Sequence, residues 1–202
     1  MPHVVVRVYE DSGPLIGVLR EREGEVRDIM TSVPGFVMYG IMDTGGGAVS
    51  VTVCEDRAGT DESIARAARW IKTNLPDARI DPPRILQGEA VVRFQAEGIP
   101  DRAAHLAVRI FNEPAPPGLR DHTDAIRELM TTAPGFRAYM AVETDGSGIS
   151  IIAGDDKAAT DAIAERMLKF VTTRYPEMQP RTMAQLIEGT GIFRFDAQVA
   201  LA

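Results

Sequence analysis

The sequence predicts an α+β protein made of two tandem βαββαβ repeats whose antiparallel sheets pack into a barrel within one chain. Three observations lead there. The chain is written twice, each copy runs through strand-like and helix-like periodicities in one order, and the strands carry apolar residues on both faces. The duplication is direct: Met30, Thr31, Pro34, Gly35, Phe36, Tyr39, Asp56, Ala58, Thr60 and Asp61 recur as Met130, Thr131, Pro134, Gly135, Phe136, Tyr139, Asp156, Ala158, Thr160 and Asp161. His3 and Val6-Arg7 recur as His105 and Val108-Arg109, and Arg93-Phe94 as Arg194-Phe195, with the small changes of spacing that loop insertions produce. The repeats are expected over 1–97 and 103–202. The joint falls around Glu97-Gly98-Ile99-Pro100-Asp101, where Gly, Pro and charge replace apolar alternation.

Each copy opens with a strand. Val4, Val6 and Val8 alternate with Val5, Arg7 and Tyr9, and Leu106, Val108 and Ile110 alternate with Ala107, Arg109 and Phe111. A helix follows over about 16–32 and 119–132, with Leu19, Val26, Ile29, Met30 and Val33 on one face. Pro34-Gly35 and Pro134-Gly135 stop it, because Pro cannot continue a helix and Gly tolerates the exit geometry. Two strands come next, about 36–43 and 48–55, joined at Thr44-Gly45-Gly46-Gly47 and, in the second copy, at Thr144-Asp145-Gly146-Ser147. A second helix begins at Thr60 or Thr160, whose hydroxyl is placed to cap it. Its apolar stripe is Ile64, Ala67, Ala68, Ile71 and Leu75. A last strand covers about 89–95 and 191–196. This order is the ferredoxin-like unit.

Such a unit covers one face of its sheet with helices, so a solvated second face would show polar residues at alternate positions. Instead Phe36, Met38 and Met42 alternate with Val37, Tyr39 and Ile41. Both faces therefore need cover, and two sheets of one chain closing on each other supply it. Val4, Val6 and Val8, the more aliphatic set, are expected under the helices, which would turn Arg7 and Tyr9 toward the barrel interior.

Composition limits the partners. The 202 residues are 45% hydrophobic and 25% charged, with 22 basic against 29 acidic side chains and a net charge of −7. A collagen-like repeat is excluded, and one cysteine, Cys54, builds no disulfide scaffold. Negative charge argues against a phosphate-binding surface for nucleic acid. No stretch approaches the roughly 18 apolar residues of a membrane span, and Met1-Pro2-His3-Val4 does not open a signal peptide. The expectation is a soluble, cytoplasmic protein with no nucleic-acid or membrane partner.

Pro34-Gly35-Phe36-x-x-Tyr39 opens the second strand. Glu55-Asp56-x-Ala58-Gly59-Thr60-Asp61-Glu62-Ser63 then precedes an Ala-rich helix carrying Trp70. Together these resemble the antibiotic-biosynthesis-monooxygenase-like family of the dimeric α/β-barrel superfamily. The resemblance covers essentially the whole chain, once per half. It implies an intrachain dimeric α/β-barrel, present as a monomeric pseudo-dimer or as a homo-oligomer. It also implies a cofactor-independent monooxygenase acting on a small aromatic or apolar substrate in the barrel interior. The alternative is a barrel that binds a small ligand, or packs, without catalysis. Haem-degrading relatives use an Asn, a Trp and a helix-borne His. Here the Asn residues are Asn74 and Asn112, the only Trp is Trp70, and no His follows it in its helix. Haem is therefore not expected, and no cofactor is assigned.

The candidate site residues are those repeated inside strands. Arg7 and Arg109 lie within matching first strands, and Arg93 and Arg194 within matching last strands, which are neighbours in the ferredoxin-like sheet order. A dry arginine keeps its charge and needs carboxylates or an anionic ligand; Asp43, Glu143 and Asp196 are candidates for internal pairing. Tyr39 and Tyr139 are placed either to orient a phenolic or enolic substrate or to pack with a satisfied hydroxyl. Tyr39, Tyr139, Arg7 and Arg109 are thus the catalytic candidates. Trp70, Arg93 and Arg194 are candidates for binding a small aromatic or anionic ligand. His3 and His105 stand at strand starts, as strand-edge residues or as bases. His122, flanked by Asp121 and Asp124, lacks a helix-face partner, so no metal site is expected.

Overall fold

The computed structural model describes residues 1–96, 105–174, 176 and 182–197. The expected joint at Glu97–Asp101 lies outside the described residues. The strands are β1 (His3–Tyr9), β2 (Phe36–Asp43), β3 (Ala48–Cys54), β4 (Arg84–Gln95), β5 (His105–Phe111), β6 (Phe136–Thr144), β7 (Ser147–Gly154) and β8 (Met183–Asp196). The helices are α1 (Leu15–Glu21), α2 (Glu23–Thr31), α3 (Arg57–Asn74), α4 (Thr123–Thr131) and α5 (Lys157–Arg174). The strands hydrogen-bond in the closed order β1-β3-β2-β8-β5-β7-β6-β4, a barrel of antiparallel pairs. The fold is α+β, as the repeats predict.

Two local readings change. The helix expected over 16–32 is broken at Arg22, whose backbone (φ −112°, ψ 31°) leaves the helical region, with Gly17 and Gly24 lowering helix propensity on either side. Its counterpart begins as a 3₁₀ turn, Leu119–His122, before α4. The second helices start before Thr60 and Thr160. Asp56 caps α3 by accepting from Gly59 N at 2.9 Å, and Asp156 accepts from Ala159 N at 2.8 Å. The repeated threonines instead donate backward, Thr60 to Arg57 O at 2.8 Å and Thr160 to Lys157 O at 2.9 Å. Each hydroxyl also lies within hydrogen-bond distance of a repeated histidine, Thr60 Oγ1 2.8 Å from His3 Nδ1 and Thr160 Oγ1 2.7 Å from His105 Nδ1. The repeated histidines therefore tie the start of a first strand to the start of a second helix.

The repeated Pro-Gly-Phe also has a local cause. Gly35 and Gly135 hold φ of 65° and 72°, a region costly for residues with a Cβ. Their carbonyls accept from Glu55 N at 2.8 Å and Asp155 N at 2.9 Å, locking each turn to the end of β3 or β7.

The chain forms two compact units, one of Met1–Gln87 with the segment from Gly191 onward, the other of Gly88–Thr190. In the first, β3 lies between β1 and β2, in register at Arg7↔Ser50 and Tyr39↔Thr52, and Ala197 N donates to Val37 O at 2.9 Å. In the second, β7 lies between β5 and β6, β4 pairs with β6 from Gly88 to Gln95, and β8 pairs with β5 from Met183 to Gly189. β4 of the first copy thus pairs with a strand of the second, while β8 pairs with β5 of its own copy and has β2 of the first copy as its other neighbour in the strand order. Strands of 12 and 14 residues reach roughly 40 Å or more at about 3.3 Å per residue, well beyond the 7-residue β1.

In the first unit the helix-covered face carries Tyr9, Tyr39, Ile41, Ala48 and Cys54, packed with Leu15, Leu19, Val26, Met30 and Trp70. By alternation Val4, Val6, Val8, Val49, Val51 and Val53 occupy the other face, all buried. This reverses the expected orientation of β1. Arg7 and Tyr9 lie under the helices, because α3 supplies the hydroxyl that Arg7 requires.

Candidate functional site

In the first unit Arg7 sits mid-strand on β1 and is 1% exposed. Its Nη2 donates to Ser63 Oγ on α3 at 2.6 Å. Its Nη1 donates to Thr52 Oγ1 at 2.9 Å and Ser50 Oγ at 3.5 Å. Ser63 sends its own proton to Thr60 O at 2.7 Å, which leaves its oxygen free to accept. Nε is buried without a partner. Burial pulls the guanidinium pKa down, opposed by Tyr39, Tyr9 and Cys54. Burial likewise raises the Tyr39 and Tyr9 hydroxyls above the ordinary phenolic value, against the pull of Arg7. Tyr39 stacks on Phe195, with centroids 5.9 Å apart.

The space around these groups is divided. A void of about 30 Å³, bounded by Tyr39, Ser50, Met30 and Trp70, has room for water rather than a ligand; Trp70 Nε1 is buried without a partner. A separate cavity of about 430 Å³ is lined by Arg7, Tyr9, Ala67, Ile71, Lys72 and the Ile80–Pro83 stretch.

In the second unit the equivalent region is one cavity of about 410 Å³. Arg109, Tyr139, Ser150 and Ile152 line it from the sheet, Met167 and Leu168 from α5, and Met183 from β8; Glu165 of α5 is also on its lining. The changes between copies explain the difference. Thr52 becomes Ile152, Ser63 becomes Ile163, Tyr9 becomes Phe111 and Trp70 becomes Phe170. Ile152 and Ile163 are 2% and 1% exposed. They put methyl groups where the first copy has hydroxyls, and Arg109 Nη1 is buried without a hydrogen-bond partner. Burial lowers the Arg109 pKa, opposed by Glu188, then Asp161 and Tyr139. Glu188 is engaged by Lys157 Nζ at 2.6 Å and lies 3.9 Å from His105 Nε2.

The candidates separate accordingly. Arg109 and Tyr139 share the second unit's cavity, while Tyr39 and Trp70 share only the small void. Arg93 is half-buried on β4, in register with Met140 of β6, so it belongs to a different unit from Arg7. Arg194 is held by Asp196, with Nε–Oδ2 2.8 Å and Nη2–Oδ1 2.7 Å. Asp43 pairs with Arg20 at 3.3 Å. Of the carboxylates expected beside the strand arginines, Asp196 thus pairs with Arg194, while Asp43 serves Arg20 at the surface. Arg7 is instead solvated by Ser50, Thr52 and Ser63, a role visible in the sequence only by comparing the two copies position by position. Among the described residues no group of three His, Cys, Asp or Glu is placed to hold a metal, and no helix is long and apolar enough to cross a membrane.

No family profile and no curated protein matches this sequence. Solved structures do. An anthrone oxidase-like protein is similar over 100% of this chain and 95% of its own, with a TM-score of 0.60 and 17% identity. A Fusobacterium nucleatum protein provisionally assigned as a monooxygenase is similar over 96% and 94%, with a TM-score of 0.64 and 11% identity. A ferredoxin-fold protein from Listeria monocytogenes, related to antibiotic biosynthesis monooxygenases, is similar over 94% of each chain, with a TM-score of 0.53 and 7% identity. The chain shares the fold of these structures, among them a ferredoxin-fold protein related to antibiotic biosynthesis monooxygenases.

Proposed function

We propose that this chain is a cofactor-independent monooxygenase for a small aromatic substrate with an acidic methylene, bound in the second unit beneath α5 rather than in the barrel interior. The observation that carries the reading is the 410 Å³ cavity with Arg109, Tyr139 and Ser150 at its sheet side and apolar walls elsewhere. A similar structure being an anthrone oxidase-like protein supports the substrate class.

The chemistry needs few protein groups. A methylene between an aryl ring and a conjugated carbonyl loses a proton, and the electron-rich carbanion–enolate reduces dioxygen itself. Carbon and oxygen join as a peroxide. Loss of water then leaves a carbonyl, so that R₂CH₂ + O₂ gives R₂C=O + H₂O, with every electron drawn from the substrate. Arg109, permanently cationic, stabilises the enolate oxygen. Tyr139 orients the substrate oxygen, and Glu165 accepts the proton at the cavity lining.

Oxygen uptake with anthrone-type substrates tests this, with one O₂ consumed per quinone formed. Arg109→Gln should lower kcat/KM about 10- to 100-fold, the worth of one hydrogen bond to a charged group. Glu165→Gln should lower kcat with KM little changed. Absence of uptake across a panel of anthrones and quinols would leave a ligand-binding barrel.

A further inference from the structure

The two arginines occupy matching strand positions but differ in their hydrogen-bond acceptors and in their exposure, Arg7 being buried and Arg109 partly exposed. Arg7 meets hydroxyls from Ser50 and Thr52 on β3 and from Ser63 on α3. Arg109 retains only Ser150 at the corresponding positions, because the other two are Ile152 and Ile163. A guanidinium cannot lose its charge on burial, so it needs acceptors from the protein or from something bound. In the first unit the protein provides them, and Tyr9, Ala67 and Ile71 line both the inner void and the outer cavity. In the second unit Phe111 stands at the position of Tyr9 and lines the cavity. There the cavity runs unbroken from Tyr139 and Ser150 past Arg109 to Leu168 and Met183. Those last two side chains are 55% and 48% exposed, which places them at the mouth.

We infer that the chain binds one aromatic anion, in the second unit alone, and that Ile152 and Ile163 determine this by leaving the Arg109 guanidinium for a ligand oxygen while Thr52 and Ser63 occupy Arg7. The ligand is a planar aromatic acid, with its negative charge on a carboxylate, enolate or phenolate oxygen and its ring against Met167, Leu168 and Val171. The inference rests on the reading of this cavity as a ligand site, and it does not depend on any reaction taking place there. The first unit's arginine is a structural cation whose internal hydroxyls stand where a ligand's oxygens would be.

Isothermal titration of the full chain with 2-naphthoate and with its neutral isostere 2-naphthamide tests this without any turnover. The wild-type chain should bind one naphthoate, about 10- to 100-fold tighter than naphthamide, as expected for a charge-assisted hydrogen-bonded pair. Ile152→Thr/Ile163→Ser should remove most of that preference while naphthamide affinity stays within a few-fold. Arg109→Met keeps side-chain bulk and should bind the two probes alike, which gives a second arm should the hydroxyl variant fold poorly. Two naphthoates per wild-type chain would overturn the inference while leaving the cavity a ligand site. An undiminished preference in both variants would overturn it equally. No binding of either probe would refute the ligand site itself. Single-site naphthoate binding in a chain that consumes no oxygen would refute the oxygenase reading alone.

Discussion

Ser63→Ala is the sharpest probe of the buried arginine because two physical effects predict opposite signs. Ser63 lies inside α3, where alanine has the higher helix propensity by a few tenths of a kcal/mol. If Ser63 were only a helix residue, the substitution would stabilise the protein. The structure gives it a 2.6 Å hydrogen bond from Arg7 Nη2, on a guanidinium that is 1% exposed and already has an unpartnered Nε. Losing a hydrogen bond to a buried charge costs about 1.5–3 kcal/mol, so the net expectation is about 1–2.5 kcal/mol of destabilisation. At roughly 2–4 °C per kcal/mol for a chain of this size, Tm should fall by about 2–10 °C in a thermal melt followed by far-UV circular dichroism. Arg7→Met/Ser63→Ala should lose less than the sum of the single changes, since removing both partners leaves no orphaned charge. A Tm for Ser63→Ala equal to or above wild type, with no coupling in the double variant, would refute the account of Arg7 as internally solvated.

The other predictions concern packing and pH. The Cys54 thiol, pushed up by burial from 9.0 to about 11, should resist iodoacetamide at pH 8 in the folded protein and react once it is denatured. A group whose folded pKa is raised stabilises the fold below its unfolded value. The contribution of Cys54 should therefore be complete below about pH 9 and be lost as pH rises toward 11, with Tyr9 and Tyr39 extending the loss in the same direction. A urea midpoint that holds constant or rises from pH 8 to pH 11 would contradict this. Gly59→Ala would place a Cβ 2.6 Å from Pro34 O and 2.8 Å from Cys54 Cβ, costing about 1–3 kcal/mol by overpacking. The second copy pairs Gly154 with Ala159 where the first pairs Cys54 with Gly59, so Cys54→Gly/Gly59→Ala should recover part of that loss in urea denaturation.

Much of the architecture was readable from local pattern. The Pro-Gly turns and the strand alternation each act within a few residues, and the duplication let one copy check the other. The face carrying Arg7 was misread for a physical reason. Val4, Val6 and Val8 and the alternating set with Arg7 and Tyr9 are all buried, so alternation separates two faces without saying which lies under a helix. Arg109 and Tyr139 were found as candidates because they repeat Arg7 and Tyr39. Glu165 was missed because its counterpart is Ala65, and Ile152 and Ile163 because an isoleucine draws no attention until its partner copy is seen to hold a hydroxyl.

The sequence alone determined the repeat and the order of elements, since these follow from side-chain periodicity and turn conformations acting at short range. The break at Arg22 and the helix starts at Arg57 and Lys157 came from the structure. Only the tertiary structure decided that β4 of the first copy pairs with β6 of the second and that β8 stands between β5 and β2. Backbone hydrogen bonding along a strand edge is indifferent to side-chain identity, and the choice of partner is made by long-range burial. For the same reason only the folded chain set Ser63 against Arg7 and left Arg109 facing an open cavity.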